Sequence, residues 1–242
     1  MTLLEVCVDD AAGLEAAVQG GADRIELCSS LELGGLTASA GLMAEASKLA
    51  IPVVALIRPR GGGFVYSEAD ERVMLRDIRL AAELGLAGAA IGALTPEHTL
   101  DVALLKRLAW RAQGLQLTLH RAFDRVRDPA VALEQAIELG FHRILTSGGA
   151  VKAPAGAAQL AALARQSRDR IRILAGSGIT ADNVQALLSA TGVHEIHASC
   201  SVHEAEPDAE LVAFGFAQAS SRVTSAAAVR DLKQRLLDQR QT

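Results

Sequence analysis

Polar side chains in this sequence gather at the ends of short apolar runs. Glu5-Val6-Cys7 and Glu26-Leu27-Cys28 each carry a carboxylate and a thiol two residues apart, and in an extended chain such pairs share a face. Glu5, Glu26, His120 and Asp124 are candidate proton carriers, since carboxylates and imidazoles do this work when placed against a substrate. Arg24, Arg58, Arg60, Arg121 and His197 supply cations for holding an anion, arginine doing so by two parallel bonds. Ser147-Gly148, Gly176-Ser177 and Ser199 add hydroxyls and turn amides, the components of an anion-binding concavity. Cys7 and Cys28 offer two soft donors. On neighbouring strands about 4.8 Å apart they would stand at one height, close enough to share a soft ion.

Each group also has an architectural explanation. Carboxylates inside strands need partners, and the arginines could pair with Glu5 and Glu26 in a structural belt. A single cysteine is usually a small core hydrophobe, and Cys200, on the opposite face to His197 and Ser199, reads as core or surface. The glycines at 148, 149, 176 and 178 could serve turns alone. Two histidines among four arginines and two carboxylates are harder to explain as architecture, and together they predict a pocket.

Something must bring these segments together. Apolar, partly β-branched runs predict strands at Leu3–Val8, Arg24–Cys28, Val53–Arg58, Ala87–Gly92, Gln116–His120, Arg143–Thr146, Arg172–Ala175 and Glu195–Ser199. Helical patterns fill the intervals. Ser67 with Asp70 resembles a capping box, Asp128-Pro129 places a cap before proline, and Gly140 can end that helix. Thr180 precedes a stretch with Val184, Leu187 and Leu188 on one face, and Ser225 to Gln239 reads as a final amphipathic helix. The count and spacing predict an α/β fold: a single-domain (β/α)8 TIM barrel over residues 1–242, with function at the strand ends. An open doubly wound sheet is the rival, but no Gly-x-Gly-x-x-Gly fingerprint follows Val8. Ser201 to Thr224 shows no clear element and reads as an elaborated loop or an oligomer contact.

Composition removes several classes. A net charge of −4 provides no basic field for nucleic acid or anionic lipid, and 3% aromatic residues leave little for stacking bases. The uncharged stretch from Leu84 to Pro96 is too short to span a membrane and contains glycine and proline. Glu5 interrupts the first apolar run and no basic region precedes it, so no signal peptide is expected. Three cysteines, an odd count, point away from a disulfide scaffold and towards the reducing cytoplasm.

The same strand ends resemble the copper homeostasis protein CutC family. The resemblance rests on Glu5-Val6-Cys7, on Gly21-Ala22-Asp23-Arg24-Ile25-Glu26-Leu27-Cys28, on Gly34-Gly35-Leu36-Thr37 and on Ile57-Arg58-Pro59-Arg60-Gly61-Gly62. It continues through His120-Arg121-Ala122-Phe123-Asp124 and Ile144-Leu145-Thr146-Ser147-Gly148-Gly149. Gly63 stands where an aspartate commonly follows the glycine pair, and Ala38 where a proline follows threonine. The resemblance implies a cytoplasmic (β/α)8 barrel, homo-oligomeric as a dimer or tetramer, with copper(I) held by Cys7 and Cys28. Two readings of function follow. One is copper(I) binding through the cysteine pair. The other is an enzyme of acid–base type, an isomerase or lyase, acting on a small anionic metabolite, such as a phosphorylated one. Neither a nucleotide cofactor nor a nucleic-acid partner is implied.

Overall fold

The computed structural model describes residues 2–203 and 208–238. Eight parallel strands close in chain order into a barrel. They are β1 (Leu3–Val8), β2 (Arg24–Leu27), β3 (Val53–Leu56), β4 (Gly88–Ile91), β5 (Gln116–Leu119), β6 (Arg143–Thr146), β7 (Arg172–Gly176) and β8 (Glu195–Ala198). β8 pairs with β1, so Glu5 lies beside His197 although 192 residues separate them. Most strands stop a residue or two before the apolar run does, because the next residue already shapes the loop. His120, expected at the end of β5, instead caps the turn Arg121–Arg125, its Nδ1 accepting the Ala122 N–H at 3.1 Å.

The helices that follow β1 to β7 are α1 (Ala11–Gly20), α2 (Ala40–Ala46), α3 (Glu68–Glu83), α4 (Val102–Arg111), α5 (Pro129–Glu138), α6 (Ala157–Ser167) and α7 (Val184–Thr191). Ser67 and Asp70 form the reciprocal capping box of α3, and Asp128 accepts two N–H groups at the start of α5. Thr180 does not cap α7. It opens a turn in which the Asn183 amide oxygen accepts the Thr180 N–H at 3.0 Å, and the helix begins after that. Among the described residues no helix is long and apolar enough to cross a membrane.

The stretch after β8 holds more structure than its sequence suggests. β9 (Ser201–His203) pairs antiparallel with β10 (Arg222–Thr224), with the short α8 (Ala209–Ala213) between them. Arg222 binds Ser201 and His203 and pins the two together. α9 (Ala226–Asp238) then packs on α1 and closes the helical ring; Gln239, expected within this helix, lies outside the described residues. Leu4, Val6, Val8, Ile25 and Leu27 face the helices in one apolar core.

The inward faces of the same strands are charged. Arg143, Glu195, Arg24, Glu5, His197 and Glu26 form a ladder of alternating sign inside the barrel. Glu195 meets Arg24 at 2.6 Å and Arg143 at 3.5 Å, and Arg24 Nε donates to Glu5. Arg143 also donates to Gln116 at 2.5 Å and Thr118 at 3.4 Å. Buried charges persist only when so paired. In place of stacked aliphatics, ion pairs fill this part of the barrel.

Candidate functional site

The C-terminal ends of the strands open into a cavity of about 1160 Å³. Cys7, Glu26, Arg58, His120, Arg121, Ser177, His197 and Ser199 all line it. Closing the sheet therefore brings together residues from six of the strand ends.

His197 is the centre of charge. Its Nδ1 is 2.8 Å from Glu5 Oε1 and its Nε2 is 3.7 Å from Glu26 Oε2. Burial opposes a charge on the ring, but the neighbouring Cys7 sulfur, Glu26 and Glu5 together raise its pKa well above the ordinary histidine value. Glu5 experiences the opposite balance. Burial would raise its pKa, yet Arg24 and His197 hold it down at about 2. With Glu5 ionised, Nδ1–H of His197 donates to it, which fixes the ring. Glu5 lies beneath the cavity rather than on its surface, so its part is to orient and charge His197. Glu26 is pushed up, by burial first and by Glu5 further, against the pull of His197. Glu26 and His197 thus face each other across 3.7 Å at the cavity wall.

His120 is different. Burial and the nearby Arg58 cation lower its pKa to about 3. Nδ1 accepts the Ala122 N–H, so the neutral ring carries its proton on Nε2, an atom without a hydrogen-bond partner among the described residues. The expectation that His120 exchanges protons near neutrality is corrected: it is a neutral ring tilted against Phe64 at 5.2 Å.

The arginines divide in the same way. Arg58 donates to the carbonyls of Leu33, Gly35 and Gly62, which ties the loops after β2 and β3 together while leaving its charge at the cavity. Arg60 lies outside the cavity, binding Asp70 at 3.1 Å and covering the Tyr66 ring at 5.2 Å. Arg24 belongs to the buried ladder. Arg121 reaches the cavity, held by Asp124 at 2.7 Å and Ser147 at 3.0 Å.

Asp124 does not face the cavity. Its carboxylate accepts from Arg121, from Thr146 Oγ1 at 2.5 Å, from the Ser147 amide at 2.9 Å and hydroxyl at 2.9 Å, and from the Gly149 amide at 3.1 Å. With every lone-pair direction taken it organises the loop after β6, and it has no capacity left for a substrate proton. The predicted anion concavity is correspondingly reduced. Ser147 and Gly148 turn towards Asp124 and the Gly156 backbone, where a Cβ on Gly148 would lie 2.4 Å from the Gly156 carbonyl oxygen. Ser177 and Ser199 remain at the cavity, Ser177 in a left-handed conformation with φ of 81°. Gly176 sits below them and makes room: a Cβ there would lie 3.3 Å from His197 Cβ.

The cysteines are not level. Cys7 stands opposite Glu26 in the β1–β2 register, and the Cys28 amide bonds to the Val8 carbonyl at 2.8 Å, further along the strand. The thiols are diagonal neighbours in a small cluster with Val54 and Leu56. Burial, Glu26 and Cys7 push the Cys28 thiol well above its ordinary range, with its sulfur 3.6 Å from the Glu26 carboxylate. Cys200, expected as core or surface, also lines the cavity, and burial pushes its thiol up to about 12.

Arg143 and Glu195 are not among the sequence candidates; they stand at the starts of β6 and β8 and join the buried ladder once the inward alternation on those strands is followed. Sequence reasoning also missed Phe64 and the wall formed by residues 216–224.

The chain is similar to known proteins over most of its length. The CutC family model matches residues 2–202. A CutC family protein of Rhizobium meliloti (strain 1021) is 54% identical over 233 residues, covering 96% of this chain and 95% of the relative. One from Caulobacter vibrioides (strain NA1000 / CB15N) is 50% identical over 231 residues, covering 95% and 94%. The crystal structure of a copper homeostasis protein CutC from Streptococcus agalactiae superimposes with a TM-score of 0.79 at 35% identity, over 82% of this chain and 99% of that one. On the match to the family model and on these identities, the chain belongs to the CutC family.

Proposed function

We propose that the protein is an acid–base enzyme acting on a small anionic metabolite at the barrel mouth. The observation that carries this is His197, fixed on Glu5 at 2.8 Å and facing Glu26 at 3.7 Å beside a cavity of about 1160 Å³. His197, Arg58 and Arg121 line that cavity and bring positive charge among its carboxylates, and anions favour such groups where water cannot fully screen them. Glu26, with its raised pKa, is the proton carrier, and His197 holds the proton it exchanges. The neutral Nε2–H of His120 donates to a carbonyl or developing oxyanion. Proton abstraction, isomerisation and carbon–carbon lysis all use this set.

A thermal-melt screen against phosphorylated and carboxylated metabolites tests it. A ligand at a hundred times its Kd stabilises by about 2.7 kcal/mol, which moves the Tm of a protein this size by about 5–10 °C. One such anion is expected to do so for the wild type and to lose most of the shift with Arg121→Ala. No shift with any anion, or an equal shift in the variant, removes the reading.

The second reading is copper(I) as cargo of Cys7 and Cys28. Their contact within one small cluster favours it, since two soft thiolates can satisfy that ion. The family's association with copper points the same way. The opposing fact is that Cys28 is held as a thiol by burial and by Glu26. Binding must expel that proton, so affinity should rise steeply with pH. Anaerobic competition for copper(I) is expected to show one equivalent bound by the wild type and none by Cys7→Ser/Cys28→Ser. Unchanged stoichiometry in the double variant excludes the pair.

A further inference from the structure

The cavity extends well past the strand ends. Its outer half is walled by β10, α9 and the segment before them, all beyond residue 202, where the family match stops. This wall carries Phe216, 81% exposed, stacked on Phe214, 66% exposed, with centroids 6.1 Å apart and planes 17° from parallel. In a chain with 3% aromatic residues, a bare ring lining a cavity and backed by a second ring outside it is an unusual use of aromatic surface. The surroundings are mixed, with Ala217, Val223, Ala228 and Leu232 among polar groups. Gln218, Ser220 and Thr224 come from the same wall, and Thr180 and Asp182 face the cavity from the loop after β7. Asp208 and Glu210 precede the rings in sequence, which argues against an anionic lipid surface as the occupant.

A flat ring beside hydroxyl, amide and carboxylate groups suits one ligand chemistry. The ring covers the C–H face of a pyranose or furanose, and the polar groups exchange hydrogen bonds with its hydroxyls. We infer that the outer half of the cavity is a saccharide subsite, so that the ligand is an anionic sugar with its charge at the Arg58, Arg121 and His197 end. This rests on the anion reading above and adds the chemistry of the rest of the molecule. It also assigns Phe216 as the residue that selects a sugar over a bare anion.

Calorimetric titration with D-glucuronate and D-glucose 6-phosphate, against succinate and inorganic phosphate, tests it. At least one anionic sugar is expected to bind about tenfold or more tightly than the bare anions, a difference calorimetry resolves readily. Phe216→Ala, at an exposed position, should remove most of that gain and leave the affinity for inorganic phosphate unchanged. If succinate or phosphate binds but neither sugar improves on it, or if Phe216→Ala keeps the gain, the saccharide subsite is wrong and the anion reading stands. If no anion binds at all, both fall. Sedimentation of the same variant covers the competing occupant: self-association lost in Phe216→Ala, with sugar affinity untouched, would assign the rings to a second copy of the chain and overturn the subsite.

Discussion

Glu5→Gln is expected to cost about 3–5 kcal/mol of folding stability, the penalty for leaving buried partners of an ion pair uncompensated. Glu5 is 1% exposed and joins Arg24 to His197. Glutamine keeps the shape but removes the charge that both cations face. Two consequences should accompany the loss. His197 gives up one of the interactions that raise its pKa, so it becomes neutral at lower pH. The double variant Glu5→Gln/Arg24→Met should recover part of the stability, because it removes one stranded cation along with its partner. Urea unfolding of the two variants beside the wild type measures the cost and its recovery. A cost below about 1 kcal/mol, the range of an exposed pair, would mean that the ladder is not what fills the barrel.

Stability should fall on both sides of a maximum near neutrality. The His120 pKa is about 3 in the folded chain and about 6.5 when unfolded. Its contribution is complete above the unfolded value and is lost as pH falls towards 3, amounting to about 5 kcal/mol in all. Glu5 contributes above its unfolded value near 4.5 and loses that as pH falls towards 2, about 3 kcal/mol more. Exposed His142, also lowered, has the same sign as His120 and less weight. His197 runs the other way: its raised pKa gives stability that is full below about 6.5 and is lost as pH rises through its folded value. Between pH 6.5 and 4.5 the His120 share is about 3 kcal/mol. His120→Asn keeps an acceptor for the Ala122 N–H and should flatten this limb. An acid limb as steep in the variant as in the wild type would show that His120 is not the buried neutral group responsible.

The barrel could be read from the sequence because each apolar run with its helix makes one unit and eight such units leave few topologies. Strand ends were also readable as the place where polar side chains meet around one opening. Register was not. The thiols look level when counted from their own strands, but the stagger of a closed barrel sets Cys7 against Glu26 and carries Cys28 one step on. Nor could the two histidines be distinguished. Each ends an inward-facing run, yet β8 closes onto β1 and gives His197 two carboxylates, while His120 receives the Arg58 cation. Asp124 looked reactive beside His120 and Arg121; only the folded loop after β6 shows its oxygens already occupied.

The charged ladder inside the barrel restricts how such a chain can diverge. Where aliphatic layers fill a barrel, one residue can be exchanged for another of similar size with modest loss. Here, dropping any single rung leaves its neighbours of opposite sign stranded. Arg143, Glu195, Arg24 and Glu5 can therefore change only in company, a cation leaving with an anion, and viable descendants should inherit the set whole or lose it in matched couples.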